Sequence, residues 1–195
     1  MGALLKETGM QFYQNEFQSL PTIRTSRLLL RPLRMQDDKD MFRYCSDPAV
    51  SRHVLWDTHP NIRHTRMTLR AAIRQYRLGR PATFGIERIE DHRLIGTIGF
   101  IWVNTDHRSA EVGYSLARDC WNMGYATEAL KAILHYGFDT LRLNRIEAQH
   151  EDSNPASGRV MEKAGMQYEG TLRQRVFNKG HFSDVRLYAR VRSDR

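Results

Sequence analysis

Trp121-Asn122-Met123-Gly124-Tyr125-Ala126-Thr127-Glu128-Ala129 is the stretch on which the reading of this chain turns. Before it stands Ala110-Glu111-Val112-Gly113-Tyr114-Ser115-Leu116, a strand-like segment. After it, Ala129, Leu130, Ile133, Leu134, Gly137 and Phe138 follow at helical spacing. The stretch therefore reads as strand, short glycine-bearing loop and helix N-terminus. The first turn of a helix leaves backbone N–H groups without partners, and the helix dipole favours negative charge there. Gly124 and the small Ala126 would let a phosphate come close to the backbone. Taken alone, the pattern also describes an ordinary helix start.

A second stretch narrows the choice. Asn154-Pro155-Ala156-Ser157 leads into Glu162-Lys163-Ala164-Gly165-Met166 and follows a strand-like segment, Arg145 to His150. Together with Arg27-Leu28-Leu29-Leu30-Arg31, Ala110 to Tyr114 and Trp121 to Ala129, this resembles the GNAT family of acyl-CoA N-acyltransferases. The nearest branch is the ribosomal-protein alanine N-acetyltransferase, or RimJ/RimL-like, group. That branch shows R-L-x-L-R, A-E-x-G-Y, W-G-x-G-Y-A-T-E-A, then N-x-x-S before E-K-x-G-F. The resemblance runs from about Thr22 to about Val191. Each piece is short, and their order and spacing carry the likeness. One departure is clear: the glycine usual after the tryptophan is Asn122, a residue that also tolerates left-handed backbone angles.

The totals agree with one enzyme-sized domain. The chain has 195 residues, enough for one domain with a real core. Cys45 and Cys120 form no disulfide framework, which points to a reducing, cytoplasmic compartment. No apolar run approaches the roughly 20 residues of a membrane span, and Lys6 and Glu7 interrupt any signal-peptide core. The net charge is +8, but the 30 Lys and Arg are scattered along the chain, so a nucleic-acid partner is not expected.

Residues 1–20 read as an arm or an added helix, and 21–195 as a single domain. Arg27 to Leu33 is a first strand, Gln36 to Cys45 a short helix stopped by Asp47-Pro48, and Val50 to Pro60 a loop. Asn61 caps a helix that ends near Gly79 and Pro81. Strands are expected over Thr83 to Ile89, Leu94 to Trp102, Ser109 to Leu116 and Arg145 to His150, and helices over Tyr125 to Thr140 and Pro155 to Ala164. Tyr168 to Phe177 and Phe182 to Val191 form a hairpin about Asn178-Lys179-Gly180. This order gives an α/β (α+β) domain with a central mixed, mostly antiparallel sheet of about seven strands and about four helices. The resemblance adds that the strands at 109–116 and 145–150 lie side by side and splay apart at one end.

It also implies acetyl-CoA as cosubstrate. The pyrophosphate would lie on the backbone of Asn122, Met123, Gly124, Tyr125, Ala126 and Thr127, and the pantetheine arm near Leu116 and Ala117. Asn154 matches the family asparagine that meets this arm, although an asparagine before a proline is also a common helix cap. Glu111 is the first candidate for general base, with a structural carboxylate as its alternative, and Glu151 stands in reserve. The base position of another branch holds Gln149, and the acid tyrosine of many relatives is Met161. Ser157 matches the branch serine proposed to protonate the sulfur; it also reads as a first-turn hydroxyl making local bonds. Trp56 is a candidate wall of the acceptor site or a core residue. The histidines form no H-E-x-x-H, so no metal is expected.

The function these features imply is direct transfer of an acetyl group to a primary amine, with a protein N-terminus as one acceptor class. Three alternatives stay open. They are a small-molecule amine acceptor, a non-catalytic acyl-CoA-binding module, and a basic ribosome- or nucleic-acid-associated protein. Many relatives are homodimers; nothing in this chain decides that.

Overall fold

The computed structural model describes residues 2–194, with side chains from residue 9 onward. Eight strands form one sheet. In chain order they are β1 (Ile23–Arg24), β2 (Leu28–Pro32), β3 (Thr83–Arg88), β4 (Leu94–Asn104), β5 (Ser109–Leu116), β6 (Arg145–Glu151), β7 (Gln167–Asn178) and β8 (His181–Val191). The spatial order is β1-β2-β3-β4-β5-β6-β8-β7, and only β5 and β6 run parallel. Among the described residues six α-helices surround the sheet: α1 (Gly2–Gln18), α2 (Asp38–Cys45), α3 (Pro48–Ser51), α4 (Ile62–Arg77), α5 (Tyr125–Asp139) and α6 (Pro155–Lys163). The expected mixed α/β sheet is therefore present, with one strand and two helices more than the sequence suggested. The extra strand, β1, has two residues, too few for periodicity to register. The expected loop from Val50 to Pro60 begins two residues later, because Asp47 accepts a bond from Ala49 N–H at 2.9 Å and caps the single-turn helix α3 with Pro48 at its first position.

Side-chain alternation assigns the layers. Phe84 of β3 and Phe100 of β4 both meet Tyr136 of α5. Thr97, pointing the other way from β4, meets Tyr44 of α2. So α5 covers one face, with α6 beside it, and α2 covers the other with α4 packed on it. Gly137 lets α5 press onto β6: a Cβ there would stand 2.5 Å from Ile146 Cδ1. Tyr13 and Phe17 of α1 are buried, and the Phe17 ring lies 6.0 Å from Phe100. The β7–β8 turn places Lys179 (φ 50°) and Gly180 (φ 85°) in left-handed conformations, as a two-residue hairpin loop requires.

Candidate active site

The parallel pair at the sheet centre is short. β5 and β6 are in register only from Ser109↔Arg145 to Glu111↔Glu147. Beyond this the strands part, and the Gln149 amide bridges to Glu111 Oε1 at 3.0 Å. Ala117 N–H donates to Ile95 at 2.8 Å, so in the antiparallel β4–β5 ladder the odd-numbered residues near it bond to β4. Tyr114 and Leu116 therefore turn their backbone groups into the opening. The Leu116 carbonyl is taken by the Trp121 indole N–H at 2.9 Å. The Tyr114 and Leu116 amides are left facing a cavity, an arrangement that calls for a ligand or water partner.

The loop after β5 frames one side of that cavity. Asn122 (φ 62°) and Gly124 (φ 81°) are both left-handed, and Gly124 is the N-cap of α5. No side chain caps this helix start, so its first-turn N–H groups remain available to an anion. Glu128, one turn in, fastens the loop to the start of β2. It accepts from Thr25 Oγ1 at 2.6 Å, Ser26 Oγ at 2.9 Å, Arg27 N–H at 2.9 Å and Arg27 Nε at 2.7 Å. Arg27 in turn donates to the Met123 carbonyl at 2.9 Å and stacks over the Tyr125 ring. Burial pushes the Glu128 carboxyl up, but these donors, Thr25 first, outweigh it and hold it at about 2. Such a depressed carboxyl stabilises the fold above its ordinary 4.5, and the contribution is lost as pH falls toward about 2. Glu128→Gln should therefore cost about 1–2 kcal/mol at pH 7. The Arg27 side chain is 45 % exposed, so solvent screening keeps the ionic share of this small. Thermal melts of both proteins should differ at pH 7 and converge between pH 4.5 and 2; a constant gap would remove the ionic contribution.

Two cavities meet at this opening. The first, about 580 Å³, is walled by the loop, the end of β5 and the start of α6. All the residues expected around the cosubstrate line it except Ala117 and Met123. Ala117 is buried with its N–H given to β4, and the Met123 side chain is 53 % exposed. Asn154 stands at the N-cap of α6 but makes no side-chain cap bond, so its amide faces the cavity. Arg159 and Lys163, one turn apart on α6, add cations to the same wall; no motif flagged them.

The second cavity, about 420 Å³, lies on the far side of the opening. His53, Val54, Tyr114, Ser115, Asn154 and Ser157 line both. Tyr114 Oη donates to the Ser157 carbonyl at 3.0 Å and lies 2.8 Å from Ser157 Oγ. Burial raises the Tyr114 phenol well above its ordinary value, so it stays a donor. Glu111 is buried, and both its oxygens are engaged: Oε2 by Trp102 Nε1 at 2.6 Å, Oε1 by Gln149. Glu151 is also buried, with Asn178 Nδ2 at 2.7 Å and His53 Nδ1 at 3.0 Å. Burial opposes its charge, yet these two partners bring its carboxyl below the ordinary range. The ionised Glu151 fixes the His53 proton on Nδ1, which leaves Nε2 as an acceptor with no partner among the described residues. Sequence reasoning missed His53, which lies 98 positions from Glu151. Trp56 lines this cavity half-buried, and its carbonyl accepts from Lys179 Nζ at 2.9 Å, so the β7–β8 tip is tied to the loop after α3.

Comparison with known proteins adds to this geometry. Residues 27–167 match the family model described as an acetyltransferase (GNAT) domain. An N-acetyltransferase of Bacillus subtilis, YoaA, is 35 % identical over 172 residues, 88 % of this chain and 97 % of its own length. The ribosomal-protein-serine acetyltransferase of Escherichia coli is 31 % identical over 127 residues, 65 % of this chain and 70 % of its own. A crystal structure of a GNAT-family acetyltransferase from Bacillus anthracis is 30 % identical and superimposes with a TM-score of 0.79, covering 88 % of this chain and 98 % of that one.

Proposed function

The chain belongs to the GNAT family of acetyltransferases, is an N-acetyltransferase and uses acetyl-CoA as its cosubstrate, and from that premise we propose that it acetylates the N-terminal amine of a protein. The observation that carries the reading is the junction of the two cavities at His53, Tyr114 and Ser157. One side fits the cosubstrate. The left-handed turns at Asn122 and Gly124 open the helix start to a pyrophosphate, Arg159 and Lys163 add charge, and the Tyr114 and Leu116 amides suit an amide-bearing arm. The cosubstrate supplies a thioester-activated acetyl group, which passes to the acceptor nitrogen as the carbon–sulfur bond breaks.

The other side sets the acceptor class. Among the described residues its only carboxylates are Glu111 and Glu151, each already committed to protein donors, and its rim includes Leu55, Trp56, Ile101 and Val176. That inventory suits one amine with apolar neighbours better than a polycation. In this reading His53 Nε2 takes the proton from the acceptor ammonium, with Glu151 setting the tautomer. Glu111 braces the opening through Trp102 and Gln149. Ser157 Oγ, beside the Tyr114 phenol, holds the proton that the departing sulfur takes. A thiol of ordinary pKa near 8.5 needs only modest help. Placement in the ribosomal-protein branch rests on the sequence motifs and on the likeness to the Escherichia coli enzyme.

The test compares acetyl-CoA consumption with three acceptors: an octapeptide with a free N-terminus, the same peptide with that terminus blocked and a lysine inside, and spermidine. Turnover of the first alone is expected. Equal or faster turnover of spermidine would replace the protein acceptor with a polyamine.

A further inference from the structure

Helix α4 carries arginines at 63, 66, 70, 74 and 77 and no acidic residue. At 3.6 residues per turn they fall within an arc of about 80°, and over 14 residues they extend about 21 Å. All five are exposed, while Thr65, Leu69 and Tyr76 bury the opposite side of the helix. Arg66 is held by Asp38 at 2.7 Å. Among the described residues, Arg63, Arg70, Arg74 and Arg77 form no ion pair.

Helix stability does not account for this stripe. Arg74 and Arg77 in the last turn complement the helix dipole, but like charges three or four apart cost a few tenths of a kcal/mol each along the whole row, and Arg63 in the first turn opposes the dipole. The stripe is therefore a standing cost that a polyanion would relieve. We propose that the outer face of α4 binds the phosphate backbone of nucleic acid, without regard to base or sugar.

The guanidinium fork matches phosphate oxygens, and a duplex offers about one charge per 1.7 Å, roughly a dozen along the stripe. The other face of α4 is buried in the protein, so the helix cannot enter a groove and only backbone contact remains. A membrane-lying helix would need that apolar face free. An acidic protein partner would call for several apolar or aromatic anchors among the charges, and among the described residues only Met67 and, past the last arginine, Leu78 are large apolar side chains exposed beside them. The net charge of +8 steers a polyanion toward the molecule. Thr68 and Ala72, on the inner side of the same helix, line the acceptor-side cavity, so a bound polymer would run beside the acceptor entrance.

The test is fluorescence anisotropy of the full chain with a labelled 20-base-pair DNA duplex and the RNA duplex of the same sequence. The comparison protein carries Arg63→Gln, Arg70→Gln, Arg74→Gln and Arg77→Gln. Glutamine keeps helix propensity, and melting temperature and acetyl transfer to the octapeptide serve as checks on folding. Both duplexes should bind the unaltered chain. Four phosphate contacts predict an affinity loss of about 10²-fold between 50 and 200 mM salt, and the variant's log–log salt slope should be shallower by about 3–4. No binding at 50 mM salt, or an unchanged slope in the variant, would overturn the proposal. Equal competition by polyglutamate at matched charge would overturn it in favour of an acidic protein.

Discussion

Replacing His53 with glutamine is expected to lower kcat about 10²- to 10⁴-fold, the usual contribution of a positioned general base. The amine that attacks a thioester must first lose a proton, and imidazole can accept one near neutral pH. His53 lines both cavities, and its Nδ1 is occupied by Glu151 and approached by Ser153 Oγ at 3.4 Å, so Nε2 is the free acceptor. Glu151 on β6 bonds the ring, His181 on β8 acts on Glu151 through its field, and Tyr114 on β5, Arg159 and Lys163 on α6, Glu111 and His150 line the cavities that His53 faces. A general base must be unprotonated to act, so a fall in rate at low pH is the expected signature of this role. The variant should lose that acidic limb of the kcat/KM profile while binding acetyl-CoA unchanged by calorimetry. Glu151→Gln should reduce the rate less and alter the same limb, since it disturbs the tautomer and not the acceptor atom. A wild-type limb in His53→Gln together with a lost limb in Glu111→Gln would transfer the role to Glu111.

Gly124→Val should weaken acetyl-CoA binding by about one to two orders of magnitude. The residue sits at φ 81° as the cap of α5, where a side chain is strained by about 1–3 kcal/mol and a β-branched one most. Space is not the obstacle: a Cβ would stand 3.4 Å from Arg27 Nη2. The chain must then either keep the strain or abandon the turn that opens the first-turn N–H groups. Gly124→Ala should fall between wild type and valine. Calorimetric titration with acetyl-CoA distinguishes these outcomes, and equal affinity for all three proteins would remove the pyrophosphate from this loop.

The extended and helical segments were legible where a strong period met a clear punctuation mark. Ser109 to Leu116 is a strand over the expected residues, and Tyr125 begins α5 where the glycine predicted. Asp47-Pro48 shows how one signal carries two meanings, since the dipeptide that stops α2 also starts α3. The loop and Asn154 could be placed because backbone geometry follows from local sequence. What could not be read were the partners. Glu128 meets Arg27 across about a hundred positions, His53 meets Glu151 across 98, and no local rule joins them. The arginines of α4 looked scattered in the linear chain because helical spacing separates by three or four what the fold aligns.

The opening between β5 and β6 gives the protein an unfinished seam. Two amides of its central strand face the opening with no partner among the described residues, so a ligand that seats there completes the secondary structure as well as delivering an acetyl group. The fold and its fuel supply are thereby linked. At a free concentration of one hundred times Kd such a ligand adds about 2.7 kcal/mol to stability. In a cell where acetyl-CoA runs low, the enzyme would lose its substrate and part of its resistance to unfolding together. Amide hydrogen exchange would register this first at Tyr114 and Leu116.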